Sequence, residues 1–115
     1  MTWYHQKGNK YGAKSTIYDG KVYDSKKEAA YAAELDLRLR AADILRWERQ
    51  VRLDLKIDGR HICNYYIDFV ITHNDGSKEY IEIKGFKTEV WRLKWKMTEV
   101  LLEKMDPGSK LTLIT

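Results

Sequence analysis

Two Asp-Gly pairs divide the middle of this sequence into three stretches with strand-like patterns. Residues 48–57 alternate apolar and charged side chains, whereas residues 61–72 and 78–84 are rich in β-branched and aromatic residues. The pairs at 58–59 and 75–76 lie between these stretches, and an Asp-Gly pair in that position is typical of a hairpin turn. The sequence therefore predicts a three-stranded antiparallel meander.

Helix signals flank the meander on both sides. Residues 24–44 are rich in Ala and Leu, and Ser25 is placed to cap the start of a helix. After the meander, Thr88 can cap a second helix that runs to about Met105, where a Pro-Gly pair follows. The sequence therefore predicts the order helix, three strands, helix.

The remaining segments complete one domain over residues 1–115. Residues 17–23 contain another Asp-Gly pair and predict an N-terminal β-hairpin, and residues 111–115 predict a last strand. Residues 1–16 mix glycines, lysines and aromatics without periodicity, which is typical of a flexible basic arm. A chain of 115 residues fits a single domain with one modest core. We expect an α/β or α+β fold.

Composition and charge limit the classes of function. The sequence has no apolar run long enough to span a bilayer, so we expect a soluble, cytoplasmic protein without a membrane partner. Its single cysteine, Cys63, excludes an internal disulfide. The net charge of +4 is concentrated in two segments, which favours a polyanionic partner such as nucleic acid. These segments contain Lys7, Lys10 and Lys14, and then Lys84, Lys87, Arg92, Lys94 and Lys96.

Two acids interrupt otherwise apolar strand segments. Asp68 lies within YYIDFVI, where period two puts it on the face of Tyr66 and Val70, opposite Ile67, and Glu82 lies in the next strand. A loop of three or five residues centred on Asp75 would set Asp68 directly across from Glu82, whereas a two-residue turn would send it to the other face. The loop length therefore decides whether the two carboxylates meet.

Like charges that face each other on neighbouring strands repel unless a cation lies between them. Lys84 could be that cation, which would make the group a structural cluster. Alternatively, Asp68, Glu82 and the backbone oxygen of Ile83 could hold Mg²⁺ or Mn²⁺. A metal in such a site supports phosphodiester hydrolysis, in which Lys84 would position the attacking water or stabilise the transition state.

Glu28 is a third acid in an unexpected position, because it falls on the apolar face of the first predicted helix. A buried carboxylate needs a metal, a cation or a backbone donor. The spacing of Ser25 and Glu28 also matches a capping box, in which Glu28 would bind the Ser25 amide. Both interpretations are open.

The motif formed by Asp68 and the later Glu82, Ile83 and Lys84 resembles that of the PD-(D/E)XK nuclease superfamily, although Ile67 stands where the motif has proline. The helix–meander–helix order is similar to the αβββαβ core of that superfamily. The runs KYGAKST, YDGKVYDSKKEAAYAAEL, YYIDFVI and EIKGFKTEVWRLK, with the glutamine of ERQVRLDL, more closely resemble a small nuclease-like family common in bacteriophage genomes.

The resemblance implies a restriction-endonuclease-like fold, with a mixed sheet of four to five strands flanked by two helices. It implies a magnesium-dependent DNA endonuclease without a small-molecule cofactor. Asp68 and Glu82 would be metal ligands, Lys84 the catalytic lysine, Glu28 a further ligand, and Gln50 a contact to water or phosphate. Branched DNA such as a Holliday junction, a homodimer, and a role in phage recombination in the host cytoplasm are expected with it.

The second helix offers a candidate nucleic-acid surface. Lys87, Trp91, Lys94 and Trp95 recur at helical spacing and combine cations with aromatic rings, although the two tryptophans could equally pack in the core or in a dimer interface. A non-catalytic nucleic-acid-binding protein that uses this helix and the basic arm is the alternative function. Cleavage of RNA is a third possibility.

Overall fold

The computed structural model describes residues 15–115 of the chain. The chain divides into two compact units, Met1–Ala42 and Asp43–Thr115. Of the predicted basic arm, Lys7, Lys10 and Lys14 lie outside the described residues.

The described part of the first unit begins with a short hairpin. Strands β1 (Thr16–Tyr18) and β2 (Lys21–Tyr23) pair antiparallel. Asp19 and Gly20 join them with φ values of 53° and 75°, as a tight turn with two left-handed residues requires. The predicted hairpin is confirmed, and Thr16, which was expected to end the arm, already belongs to β1.

Helix α1 (Lys26–Arg40) follows the hairpin. Ser25 has an extended backbone, and its hydroxyl accepts the Glu28 N–H at 3.1 Å, which confirms Ser25 as the N-cap. The helix ends before the predicted Ile44. The reason is that Ala42 adopts a left-handed φ of 61°, a conformation through which an α-helix cannot continue.

The second unit contains a four-stranded mixed sheet and one helix. Its elements are β3 (Arg46–Ile57), β4 (Arg60–Thr72), β5 (Lys78–Ile83), α2 (Glu89–Met105) and β6 (Lys110–Ile114). The strand order is β3-β4-β5-β6, in which the first three strands form the predicted antiparallel meander and β6 runs parallel to β5. The fold is α+β, as predicted, with two helices, a mixed sheet and an N-terminal hairpin.

The register of β4 and β5 follows from the loop between them. Phe69 lies opposite Ile81 and Thr72 opposite Lys78, so the loop comprises the five residues 73–77, centred on Asp75. The Asp75 carboxylate stabilises this loop by accepting the Ser77 N–H at 2.9 Å. This odd loop was one of the two predicted lengths. Asp68 and Glu82 are the next residues along the two strands, just beyond the last backbone pair, Phe69 and Ile81.

The alternation of β4 differs from the predicted strict period of two. Tyr66 is 53% exposed, whereas Asp68 and Val70 are buried, and Ile67 packs in the same core cluster as Val70. The change lies beside Gln50 in β3, which has a left-handed φ of 50°. Its neighbours Arg49 and Val51 pair with Phe69 and Ile67 of β4. A left-handed residue interrupts the pleat of a strand, which accounts for the shift in inward-facing positions.

Helix α2 contributes to this core cluster through Trp91 and Leu102. Its start is fixed by Thr88, whose hydroxyl accepts the Trp91 N–H at 3.0 Å, as the sequence predicts for an N-cap. Buried partners from the sheet are Leu53, Leu55, Tyr65, Ile67, Val70 and Tyr80. Neither helix of residues 15–115 is long and apolar enough to cross a membrane.

Candidate active site

Asp68 is held in place at both carboxylate oxygens. It is only 8% exposed, and its Oδ2 accepts the backbone N–H of Ile83 at 2.8 Å. Its Oδ1 accepts Nε2 of Gln50 at 3.2 Å. Donors on both oxygens fix the orientation of the carboxylate. Asp68 therefore presents this carboxylate in a defined position beside the end of β5.

Glu82 is the second buried acid, with 4% of its surface exposed. Its Oε2 accepts the indole N–H of Trp91 at 3.2 Å, and that N–H also lies 2.9 Å from the Tyr65 hydroxyl oxygen. Burial and then the negative charge of Asp68 raise the pKa of Glu82 to about 7, against an opposing effect of the Lys84 charge. Ionisation of Glu82 is therefore costly near neutral pH.

The other oxygen of Glu82, Oε1, is buried and has no hydrogen-bond partner within the described residues. A buried acceptor left without a donor costs roughly 1–3 kcal/mol. Next to it stands the carboxylate of Asp68, which electrostatically raises the pKa of Glu82. Two adjacent carboxylates with an unsatisfied oxygen match the hard oxygen ligands that Mg²⁺ and Mn²⁺ prefer. The donor set present in this unit thus fits a divalent cation.

This donor set is small. The described part of the chain contains no group of three or more His, Cys, Asp or Glu side chains arranged to hold a metal ion. Mg²⁺ commonly binds through one or two carboxylates and keeps several waters. Asp68 and Glu82 are sufficient for that mode of binding. The use of the Ile83 backbone oxygen as a ligand stays a prediction, whereas its N–H binds Asp68.

Lys84 follows β5 directly, and its backbone N–H donates to the carbonyl of Ile114 in β6 at 2.9 Å. Its ammonium lies 5.6 Å from the centre of the Trp91 ring and is within electrostatic reach of Glu82. The structural cluster in which Lys84 neutralises both acids stays the alternative to a metal site.

Gln50 contacts Asp68, whereas its predicted contact to water or phosphate stays a prediction. Its amide donates to Asp68, and its left-handed φ of 50° is unusual for a residue with a side chain. Such a conformation costs of order 1–3 kcal/mol and is enriched at functional sites. The sequence does not predict the left-handed conformation of Gln50, which becomes visible only in the structure. We describe Gln50 as a residue that positions Asp68.

Glu28 belongs to the first unit, on α1, where its side chain is 6% exposed. Its backbone N–H is bound by Ser25, which is one half of the predicted capping box. A role of the Glu28 carboxylate as a metal ligand stays a prediction.

The candidate nucleic-acid residues on α2 are placed differently from one another. Trp91 is 8% exposed and stacks on Trp95 with ring centroids 5.4 Å apart, so the packing role left open by the sequence is the one its burial favours. Lys94 donates to the backbone oxygen of Asn64 at 3.3 Å, and Lys87 is half-buried. A contact of Trp91 with nucleic acid stays a prediction.

Tyr65 is part of the site although sequence reasoning did not single it out. Its hydroxyl lies against the Trp91 N–H, and burial followed by the Glu82 charge raises its pKa above the ordinary value. The sequence does not predict this role, because it depends on the direction of the Tyr65 side chain toward Trp91. Tyr65 and Trp91 together form the polar support beneath Glu82.

Fold and site together define a class: an α+β chain that buries two carboxylates side by side next to a lysine. A family model described as "Protein of unknown function (DUF1064)" matches residues 8–106. The match spans most of the chain, so the protein belongs to this family. A search of curated proteins found no match.

Proposed function

We propose that this protein is a divalent-metal-dependent endonuclease that hydrolyses phosphodiester bonds in DNA, as a member of the PD-(D/E)XK nuclease superfamily. The observation that carries the proposal is Glu82 Oε1, which is buried beside Asp68 without a hydrogen-bond donor among the described residues. A structural acid would be neutralised by a donor or a cation. A buried acid with an unsatisfied oxygen is suited to bind a divalent cation that arrives with the substrate.

Mg²⁺ or Mn²⁺ would be held by Asp68 and Glu82, with the backbone oxygen of Ile83. When bound, such a cation polarises the scissile phosphate and lowers the pKa of the attacking water. Cation binding also removes the cost of ionising Glu82, since a nearby positive charge favours the carboxylate form.

The residues of the chain supply orientation and charge. Gln50 and the Ile83 N–H keep both oxygens of Asp68 in fixed directions. Trp91 and Tyr65 hydrogen-bond Glu82, and its Oε1 is left without a partner among the described residues. The ammonium of Lys84, which lies over the Trp91 ring and within electrostatic reach of Glu82, donates to the attacking water or to a phosphate oxygen.

The proposed substrate is branched DNA such as a four-way junction, because a domain of 115 residues has little surface for reading a long base sequence. Symmetric cleavage of a junction requires two sites, which a homodimer supplies. The proposed setting is recombination in the cytoplasm of a phage-infected cell, and this part rests on the resemblance alone.

The test is a cleavage assay on supercoiled plasmid and a synthetic four-way junction with Mg²⁺, with Mn²⁺ and with EDTA. We expect cleavage with either metal and none in EDTA. Asp68→Ala and Lys84→Ala should abolish cleavage. Lys56→Ala is a matched control, because Lys56 is an exposed lysine on β3 that pairs only with Asp54 among the described acids.

Two results would contradict the proposal. Cleavage that survives both Asp68→Ala and Lys84→Ala would show that another site or a contaminant cuts the DNA. Binding of the junction without cleavage under any metal would instead favour the non-catalytic nucleic-acid-binding protein.

A further inference from the structure

A groove of about 470 Å³ lies along α2 next to the last strand. Its walls combine aromatic, aliphatic and cationic side chains: Trp91, Trp95, Leu113, Lys87, Arg92 and Lys96. All of these residues belong to the second unit. The groove is therefore a feature of one compact body.

The aromatic part of the groove is a stacked pair. Trp91 and Trp95 have nearly parallel rings, 19° apart, with centroids separated by 5.4 Å. Trp91 is buried, whereas Trp95 is half-buried and lines the groove. Trp91 supports Trp95 from one side and holds its ring in a fixed plane. A rigid, partly exposed indole of this kind is a suitable platform for a nucleobase.

The charge of the groove is complementary to phosphate. Lys87, Arg92 and Lys96 contribute three positive charges, and Glu99 contributes one negative charge, which lies 3.8 Å from Lys96. The net positive charge and the aromatic platform occur in the same groove. This combination is what proteins that bind single-stranded nucleic acid use for backbone and base, respectively.

The groove is continuous with the acid pair through one side chain. The ring of Trp91 lines the groove, and its N–H donates to Glu82 at 3.2 Å. The ammonium of Lys84 lies over the same ring at 5.6 Å. A strand that leaves the groove at Trp91 therefore reaches Glu82 and Lys84 within the width of one indole.

We propose that this groove binds an unpaired DNA strand and leads it to the acid pair, with a base stacked on Trp95 and phosphates at Lys87, Arg92 and Lys96. The proposal rests on the proposed nuclease function and specifies a preference, within branched DNA, for structures that carry an unpaired segment. A regular duplex is excluded from this binding mode, because its bases are already stacked on both faces and offer none to Trp95.

The test measures binding in EDTA, so that it does not depend on cleavage. A short labelled single-stranded DNA and the matching blunt duplex are titrated with the full chain, and binding is followed by fluorescence anisotropy. Trp95→Ala should weaken single-strand binding by roughly 5- to 100-fold, since loss of one stacked base has an effect of that size. Duplex binding should stay unchanged, and Trp95→Phe should retain most of the single-strand affinity.

A double substitution tests the charges separately and does not touch the core, because both side chains are exposed. Arg92→Ala with Lys96→Ala should reduce the slope of log affinity against log salt for the single strand by about 1.4, or about 0.7 for each lost phosphate contact. Leu93→Ala and Lys104→Ala are the matched controls, since both residues are exposed on α2 and neither lines the groove. Both controls should bind like the wild type.

The proposal is overturned if Trp95→Ala melts like the wild type and binds the single strand equally well, or if it loses single-strand and duplex affinity to the same extent. If Trp95→Ala does not fold, an unchanged salt slope in the Arg92/Lys96 variant overturns it. Failure of the nuclease proposal looks different, because in that case the groove variants lose binding while no metal gives cleavage.

Discussion

The sheet of the second unit carries two acids in opposite electrostatic situations. Asp54 on β3 lies near the β3–β4 turn, where its carboxylate contacts the His61 ring at 2.5 Å and Lys56 at 3.7 Å. The hydrogen bond with His61 holds the pKa of Asp54 below its ordinary value. Glu82 on β5 is buried next to another acid, and burial raises its pKa to about 7.

Asp54 and Glu82 differ in whether the fold provides partners for the carboxylate. Asp54 has Lys56 and His61 beside it and sits where water reaches it, so it needs no ligand. Glu82 keeps an oxygen without a donor among the described residues. A protein gains nothing in stability from that arrangement. The contrast is therefore a physical reason to look for function at Glu82 and Asp68 and not at Asp54.

The largest expected effect distinguishes the two sites by activity. Asp68→Asn keeps the shape of the side chain but removes its charge, so we expect metal-dependent cleavage to fall about 100- to 1000-fold, the loss typical of removing one group that stabilises the reaction electrostatically. Asp54→Asn should cleave like the wild type. The measurement is the initial rate of junction cleavage in Mg²⁺. Equal losses in both variants would remove the distinction between the sites.

A smaller loss is expected at Gln50, which acts through Asp68. Gln50→Ala removes the hydrogen bond to Asp68 at 3.2 Å, and cleavage should fall about 10- to 100-fold, as is common for groups that orient a metal ligand. Gln50→Gly should lose the same activity. It should nevertheless be more stable than Gln50→Ala by roughly 1 kcal/mol, because glycine adopts the left-handed φ of 50° without strain.

The measurements for Gln50 are cleavage rates and urea denaturation of both variants. If Gln50→Ala cleaves at the wild-type rate, the hydrogen bond does not position Asp68. If glycine and alanine give the same free energy of unfolding, the backbone at this position is not strained.

The smallest expected effect is one of stability, and its sign differs between the two acids. The folded-state pKa of Glu82 is raised from 4.5 to about 7, so the folded protein holds a proton that the unfolded chain has lost. The free energy of unfolding of the metal-free protein therefore falls as pH rises from about 4.5 to about 7. Glu82→Gln should be more stable than the wild type by roughly 2 kcal/mol at pH values above about 7, and the difference should shrink toward about pH 5.

Asp54→Asn should change the free energy of unfolding in the opposite direction from Glu82→Gln. The pKa of Asp54 is lowered, so its contribution to stability is present above its ordinary pKa and disappears as the pH falls through the folded-state value. The variant should be slightly less stable than the wild type at neutral pH. Urea denaturation in EDTA across this pH range measures both variants. Parallel pH profiles for wild type and Glu82→Gln would contradict the raised pKa.

Much of the fold could be predicted because its signals are local. Asp75 and Gly76 in an odd loop set the register of β4 and β5, and Ser25 and Thr88 mark the starts of both helices. The end of α1 could not be predicted in this way. Ala41 and Ala42 favour helix by propensity, but the chain must turn there, since the Leu45 N–H already donates to Thr72 in the sheet.

The candidate site could likewise be predicted only in part. Asp68 and Glu82 stand out in the sequence because a charge in an apolar strand is conspicuous, and the register that brings them together follows from the loop. The roles of Gln50, Tyr65 and Trp91 depend on side-chain directions and on an interrupted pleat. Those features arise from tertiary packing, and no local pattern in the sequence encodes them.

The hydrogen bond from the Trp91 indole to Glu82 gives the protein an optical reporter at its own acid. Indole emission responds to the charge of a nearby group, so protonation of Glu82 or arrival of a cation should change the intrinsic fluorescence of the metal-free protein. The chain has four tryptophans, and a Trp91→Phe variant isolates the contribution of this one. Occupancy of the site can thus be followed in solution without any added dye.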